Sequence, residues 1–163
     1  MVPSDLTGLD ERLVRESIDL AREHMREGSG GPFGAVIARG EAVIARGWNQ
    51  VTSELDPTAH AEVVAIRRAC DALRTFRLDG CTLYASCEPC PMCLAATYWA
   101  RIDRVVFGAG RADAAAVGFD DSRIYDEISL PRDARTLHMR QLLRDEAKSV
   151  MEEWVAKRDR IPY

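Results

Sequence analysis

The run Cys87-Glu88-Pro89-Cys90-Pro91-Met92-Cys93 constrains this chain more than any other stretch. Proline is favoured at the first position of a helix and breaks its interior, so Pro89 or Pro91 opens a helix here. Cys90 and Cys93, three apart, then share one face of its first turn. The partial positive charge of a helix N-terminus favours thiolate over thiol at that place. Earlier in the chain, Asp56-Pro57-Thr58-Ala59-His60-Ala61-Glu62 carries a second helix-start signal. Asp56 is expected as its cap and Pro57 as its first helical residue, which puts His60 in about the first turn and Glu62 just beyond. Two helix starts facing each other at the ends of neighbouring strands bring together two sulfurs, one imidazole and one carboxylate.

That set suits zinc. Zinc prefers sulfur and nitrogen in a tetrahedron, and catalytic sites supply three protein ligands with a fourth position for water. His60, Cys90 and Cys93 are the expected ligands. Glu62 is then spare and stands beside the site as a proton carrier. Two plainer readings compete. Cys87 is a candidate fourth ligand of a structural zinc, though three cysteines at one helix start crowd the geometry. Cys87, Cys90 and Cys93 also fit the C-x2-C-x2-C start of an iron–sulfur site, which calls for another cysteine that the chain does not supply after Cys93. Cys70 and Cys81 read as small core residues and Cys87 as structural.

The rest of the chain reads as scaffold. Its 163 residues suffice for one domain with a sizeable core. Its net charge of -4 argues against a long polyanionic partner, so no nucleic acid is expected. Met1-Val2-Pro3-Ser4-Asp5 has neither the basic nor the apolar region of a leader, and no apolar run is long enough to span a bilayer. A cytoplasmic location is expected, and the odd count of 5 cysteines then favours metal binding over disulfides. A helix from Asp10 to Glu27 carries Val14, Ile18, Ala21 and Met25 at helical spacing. Gly28 to Pro32 stops it, or lets backbone approach a ligand. Strands from Phe33 to Ala38 and from Ala42 to Arg46 flank the turn Arg39-Gly40-Glu41. Trp48-Asn49-Gln50 starts a polar loop. Further strands are predicted at Cys81 to Ala85, Arg104 to Gly108 and Thr136 to Leu142. A last helix, from Asp145 to Lys157, would bury Val150, Met151, Trp154 and Val155. Strand, helix, strand order implies parallel neighbours with helices packed on the sheet. The expectation is one α/β domain over residues 1–163 with five strands.

His60-Ala61-Glu62 and Pro89-Cys90-Pro91-Met92-Cys93 resemble the signature of the zinc-dependent cytidine deaminase superfamily, whose ligand set and acid/base glutamate are long described. Gly30-Gly31-Pro32-Phe33-Gly34-Ala35-Val36, Asp56 to Glu62, Ser86 to Cys93, Asp113-Ala114-Ala115 and Gly118-Phe119-Asp120-Asp121-Ser122 further resemble the bacterial guanine deaminases. The resemblance implies a three-layer α/β/α fold with a mixed five-stranded sheet. It implies zinc held by His60, Cys90 and Cys93, with Glu62 moving protons as water attacks the amino-bearing ring carbon of a nucleobase. Asn49, Phe33, Asp121 and Tyr163 would contact the base, as would His60 and Ala61. A homodimer is implied, with the C-terminal segment exchanged so that Tyr163 caps the partner's pocket. Trp48, Gln50 and Gly108-Ala109-Gly110-Arg111 depart from that pattern. Guanosine, ammeline and cytosine deaminases share the core motifs, as do tRNA adenosine deaminases. A non-catalytic zinc-stabilised binding module would leave Glu62 without a purpose.

Overall fold

Strand β1 (Gly34–Arg39) is buried on both faces along nearly all its length. Its alternating side chains feed two cores, as the two-residue period of a strand requires. Ala35 and Ile37 join one cluster with Ala61, Ala65, Ala69 and Leu83. Val36 and Ala38 join the other with Leu13 and Tyr84. These positions are apolar on both sides because helices cover both faces of the sheet. The computed structural model describes residues 8–163; the residues read above for a leader lie outside that range.

Along the chain, α1 (Gly8–Arg26) precedes β1, and β2 (Ala42–Trp48) follows it. Then come α2 (Val51–Glu54), α3 (Ala61–Leu73), β3 (Thr82–Cys87), α4 (Pro91–Trp99) and β4 (Arg104–Ala109). After them come α5 (Arg111–Ala116), α6 (Ser122–Ser129) and α7 (Arg144–Ala156). The sheet is four-stranded in the order β2-β1-β3-β4. β1 runs antiparallel to β2 and β3, and β3 runs parallel to β4 across the α4 crossover. The mixed α/β/α architecture is as expected, with one strand fewer. No helix of the described residues is long and apolar enough to cross a membrane.

The missing strand is the one expected at Thr136 to Leu142. That segment belongs to the second of two compact units, Met1–Ser122 and Arg123–Tyr163. There the Thr136 N–H donates to the Glu127 carboxylate at 2.8 Å, and the Thr136 hydroxyl accepts from Arg123 at 3.0 Å. Side chains of α6 take up these groups in place of a strand ladder. The predicted buried stripe of α7 is also revised: Val150, Met151, Trp154 and Val155 are exposed, with Arg160 stacked over Trp154.

In the first unit, two features set the helices that carry the site. A buried network pins α1: both terminal nitrogens of Arg104 donate to the Asp10 carboxylate at 2.7 Å, and the Tyr84 hydroxyl donates to it at 2.8 Å. On the other face, Gly47 lets α3 lie directly on β2. A Cβ at residue 47 would sit 2.2 Å from the Ala61 carbonyl oxygen and 2.6 Å from the Ala65 nitrogen. Gly47→Ala must therefore push the first turn of α3 off the sheet. Overpacking of this kind costs about 1–3 kcal/mol. A melting midpoint lower by roughly 2–12 °C is expected in thermal denaturation, at about 2–4 °C per kcal/mol for a chain of this size.

Candidate active site

His60 and Cys90 are both helix N-caps. His60 sits before α3 with φ -68 and ψ 152, and Cys90 before α4 with φ -65 and ψ 170. Pro91 follows Cys90 at the start of its helix, as proline favours, so the second of the two expected prolines opens α4. The first helix start lies later than predicted. The Asp56 carboxylate caps a tight turn instead, accepting from the Thr58 N–H at 2.8 Å and its hydroxyl at 2.7 Å. The chain stays non-helical until Ala61, and His60 is thereby released from the helix to point its ring at the thiols.

The Cys90 and Cys93 sulfurs each lie 3.5 Å from His60 Nδ1 and 3.6 Å from one another. Ligands around tetrahedral zinc, with bonds of about 2.0–2.3 Å, are separated by roughly 3.5–3.8 Å. The triangle fits that ion in donor type and in size. Cys87 stands outside it, with its thiol directed at the Gly110 carbonyl at 3.8 Å. The three donors His60, Cys90 and Cys93 form the metal-capable cluster among the described residues.

Glu62 is buried within the first turn of α3, and its Oε2 accepts from the Cys93 sulfur at 3.3 Å. Burial raises its carboxyl above the usual range. The imidazole of His60 is raised too, first by its hydrogen bond to Cys90. The Cys90 thiol is pushed down to about 4 by the Cys93 hydrogen bond, with His60 adding to it. Cys93 moves the opposite way, because ionised Cys90 claims its proton. Without metal, the two sulfurs share one proton and Cys90 carries the charge.

Asn49 is buried where β2 ends. Its Oδ1 accepts from the Gly31 and Val51 N–H groups at 3.0 and 3.2 Å. Two donors on one atom fix that atom as oxygen, which leaves Nδ2 as a donor with no partner among the described residues. Gly30 belongs to this arrangement, since a Cβ there would lie 2.2 Å from the Asn49 carbonyl oxygen. The glycines after α1 thus serve a close approach to Asn49 as well as a helix stop. The Gln50 N–H donates to the Ala59 carbonyl at 2.9 Å, joining Asn49's loop to the His60 segment. Trp48 is held between His24, stacked at 3.7 Å, and Arg68, 4.2 Å from its centroid. Arg68 also donates to Gln50 Oε1 at 3.3 Å, so the two unfamiliar residues flanking Asn49 brace its strand end.

Phe33 is half-buried and meets Phe119 edge-on at 4.9 Å. Asp121 pairs with Arg111, Nε to Oδ1, at 3.1 Å. Ala61 is fully buried as the first residue of α3. Tyr163 lies in the second unit and is exposed. Sequence reasoning passed over Gly47 and gave no role to Phe119 or to Glu88, whose carboxylate accepts the Arg111 N–H at 3.2 Å. A glycine inside a strand signals close backbone approach and was the available cue for Gly47.

The chain belongs to the cytidine and deoxycytidylate deaminases: their zinc-binding region matches residues 7–109. Within that class it is a homologue of guanine deaminase. It is 51% identical to guanine deaminase of Bacillus subtilis over 144 residues, 88% of this chain and 92% of that protein. A crystal structure of guanine deaminase from the same organism superposes with a TM-score of 0.91 at 49% identity, covering 94% of this chain and 98% of that one. Guanine deaminase from Nitrosomonas europaea superposes with a TM-score of 0.65 at 30% identity, over 90% of this chain and 85% of that one. Similarity to the tRNA-specific adenosine deaminase of Bacillus subtilis, 44% over 100 residues, spans 61% of this chain and 62% of that protein.

In metal-free protein, alkylation of Cys90 by iodoacetamide is expected to proceed at a nearly constant rate from pH 6 to 8 and to fall as pH drops through about 4, the range to which its thiol is lowered. Cys93 is expected to stay unmodified while the protein is folded. Peptide mapping after timed alkylation measures both.

Proposed function

We propose that this chain hydrolyses guanine to xanthine and ammonia as a zinc-dependent aminohydrolase. The observation that carries the reading is the match along 92% of a guanine deaminase, in a chain whose His60, Cys90 and Cys93 converge beside a buried glutamate. The donor set and spacing suit zinc, held by those three side chains. When bound there, zinc supplies Lewis acidity, which makes water a nucleophile near neutral pH.

Glu62 moves the protons. It takes one from water and delivers it to a ring nitrogen of the base; it then takes the second from the hydroxyl added at the amino-bearing carbon and passes it to the amine, which leaves as ammonia as the carbonyl forms. Burial raises its carboxyl, so it takes a proton from water more readily than an exposed glutamate and its acid form is more populated near neutral pH. Asn49 offers Nδ2 to an acceptor of the purine, because its own oxygen is already occupied. Asp121 accepts from guanine's N–H groups. Phe33 packs on the ring, and Ala61 opens α3 at the rim with a first-turn N–H that has no acceptor within its own helix. The pairing of an amide with a carboxylate suits a base edge that carries acceptors and donors together.

The two units act as one deaminase domain over residues 1–163. The second unit crosses to another copy in a homodimer, where Tyr163 caps the partner's pocket. The exposed apolar residues of that unit, Val150, Met151 and Val155 among them, support this, since apolar faces of this kind are usually covered in an assembly. The protein works on free bases in the cytoplasm.

The first test is ammonia release from zinc-loaded protein with guanine, guanosine, ammeline, cytosine and adenine. Guanine alone is expected to turn over; an inert guanine beside an active second base would move the substrate while keeping the chemistry. Salt-sensitive binding to tRNA would favour the editing reading instead. Glu62→Gln is expected to keep its zinc, measured by elemental analysis, and to lose about 10²–10⁴-fold in turnover. Cys90→Ala is expected to lose the metal itself, together with thermal stability.

A further inference from the structure

Arg111 is among the residues that depart from the guanine-deaminase pattern, and it has a specific place. Its backbone is fixed independently of its side chain. Its N–H donates to Glu88 Oε2 at 3.2 Å, next to the cysteine run, and it is the first residue of α5. The Gly110 N–H just before it donates to Asp113 Oδ2 at 2.8 Å. The side chain then reaches back to Asp121, Nε to Oδ1 at 3.1 Å, with Asp121 largely buried and Arg111 half-exposed.

The loop that carries Asp121 has its own supports. The Gly118 and Phe119 N–H groups donate to Ala115 and Ala114 carbonyls at 3.1 and 3.0 Å. Phe119 rests edge-on against Phe33, and the Ser122 N–H donates to Asp120 Oδ1 at 2.9 Å. The loop backbone does not depend on Arg111. The pair instead fixes the direction of one side chain, the Asp121 carboxylate. Two independent links tie the surroundings of that carboxylate to residues next to the site: Phe119 on Phe33, whose carbonyl accepts the Asn49 N–H at 3.0 Å, and the Arg111 N–H on Glu88.

We infer that Arg111 is a positioning residue for the base: it holds Asp121 by Oδ1 so that Oδ2 is aimed to accept from the N–H groups of guanine. This rests on the reading that Asp121 contacts guanine. A carboxylate is an acceptor with two oxygens, and an arginine that occupies one of them orients the other without replacing it. Misaiming a substrate-binding group by an ångström costs up to about a hundredfold in rate.

The experiment is steady-state guanine kinetics on zinc-loaded wild type, Arg111→Met, Arg111→Lys, Asp121→Asn and the double variant Arg111→Met/Asp121→Asn, each with zinc content and melting midpoint measured. Arg111→Met is expected to lower kcat/KM by about ten- to hundredfold with zinc content unchanged. Arg111→Lys, which keeps the charge, is expected to recover part of that loss. The double variant is expected to match Asp121→Asn within about twofold, because a residue acting through Asp121 has nothing left to position once its carboxylate is gone. Wild-type kinetics in Arg111→Met beside an impaired Asp121→Asn overturn the inference and leave the guanine reading standing. Losses that multiply in the double variant do the same, since they mean that Arg111 acts elsewhere. An Asp121→Asn variant with wild-type kinetics overturns the inference together with the Asp121 contact it rests on, while guanine turnover stands; a wild type inert on guanine overturns both.

Discussion

Two helix N-termini end on one small volume, and the site is built on that meeting. His60 caps α3 and Cys90 caps α4, and neither side chain caps its own helix by a hydrogen bond. Each side chain is therefore free to face the other. Their positive ends favour anionic sulfur, and the hydrogen bonds among His60, Cys90 and Cys93 draw Cys90 far down into the acid range. The same geometry that suits a divalent cation would be strained if either helix moved by an ångström. The sheet prevents that. α3 is seated on β2 through the missing side chain of Gly47, and α4 follows directly from β3, the inner strand beside β1.

Around this centre, opposite protonation tendencies are set by environment. Cys90 is drawn down by donors, whereas Glu62 is raised by burial between the helix and the sheet. A carboxyl that resists ionisation beside a thiol that accepts it is the division of labour that acid/base chemistry on a metal-activated water calls for. The polar groups assigned to the base follow a similar economy. Asn49 spends its oxygen on backbone N–H groups and keeps its amide donor, and Asp121 spends one oxygen on Arg111 and keeps the other. Each is half-committed to the scaffold, an arrangement that would lower the entropy lost in binding the proposed base.

The unfamiliar residues near the site prove to be braces. Trp48 and Gln50 form a stack and a hydrogen bond with His24 and Arg68 that hold the end of β2. Motif comparison identifies such positions only as mismatches. Their role emerges from what they touch across residues far apart in the chain.

The sequence by itself determined the donor set, the helix starts at Ala61 and Pro91 to within a few residues, and the first strand to within one residue at each end. These are local properties: proline and cap chemistry, three-residue spacing and a short apolar run beside a turn act within a few positions of one another. In the C-terminal part it placed the last helix to within one residue at each end but called one strand that is absent. A run such as Thr136 to Leu142 has strand-like composition, but a strand exists only where a neighbour offers a ladder, and there side chains of α6 take its hydrogen bonds. Tertiary structure alone decided that Asp56 closes a turn instead of a helix, that Gly47 seats α3, and that Arg111 meets Asp121. Each depends on a contact whose partner is chosen by packing, and no periodicity in the chain encodes which residue packing will bring there.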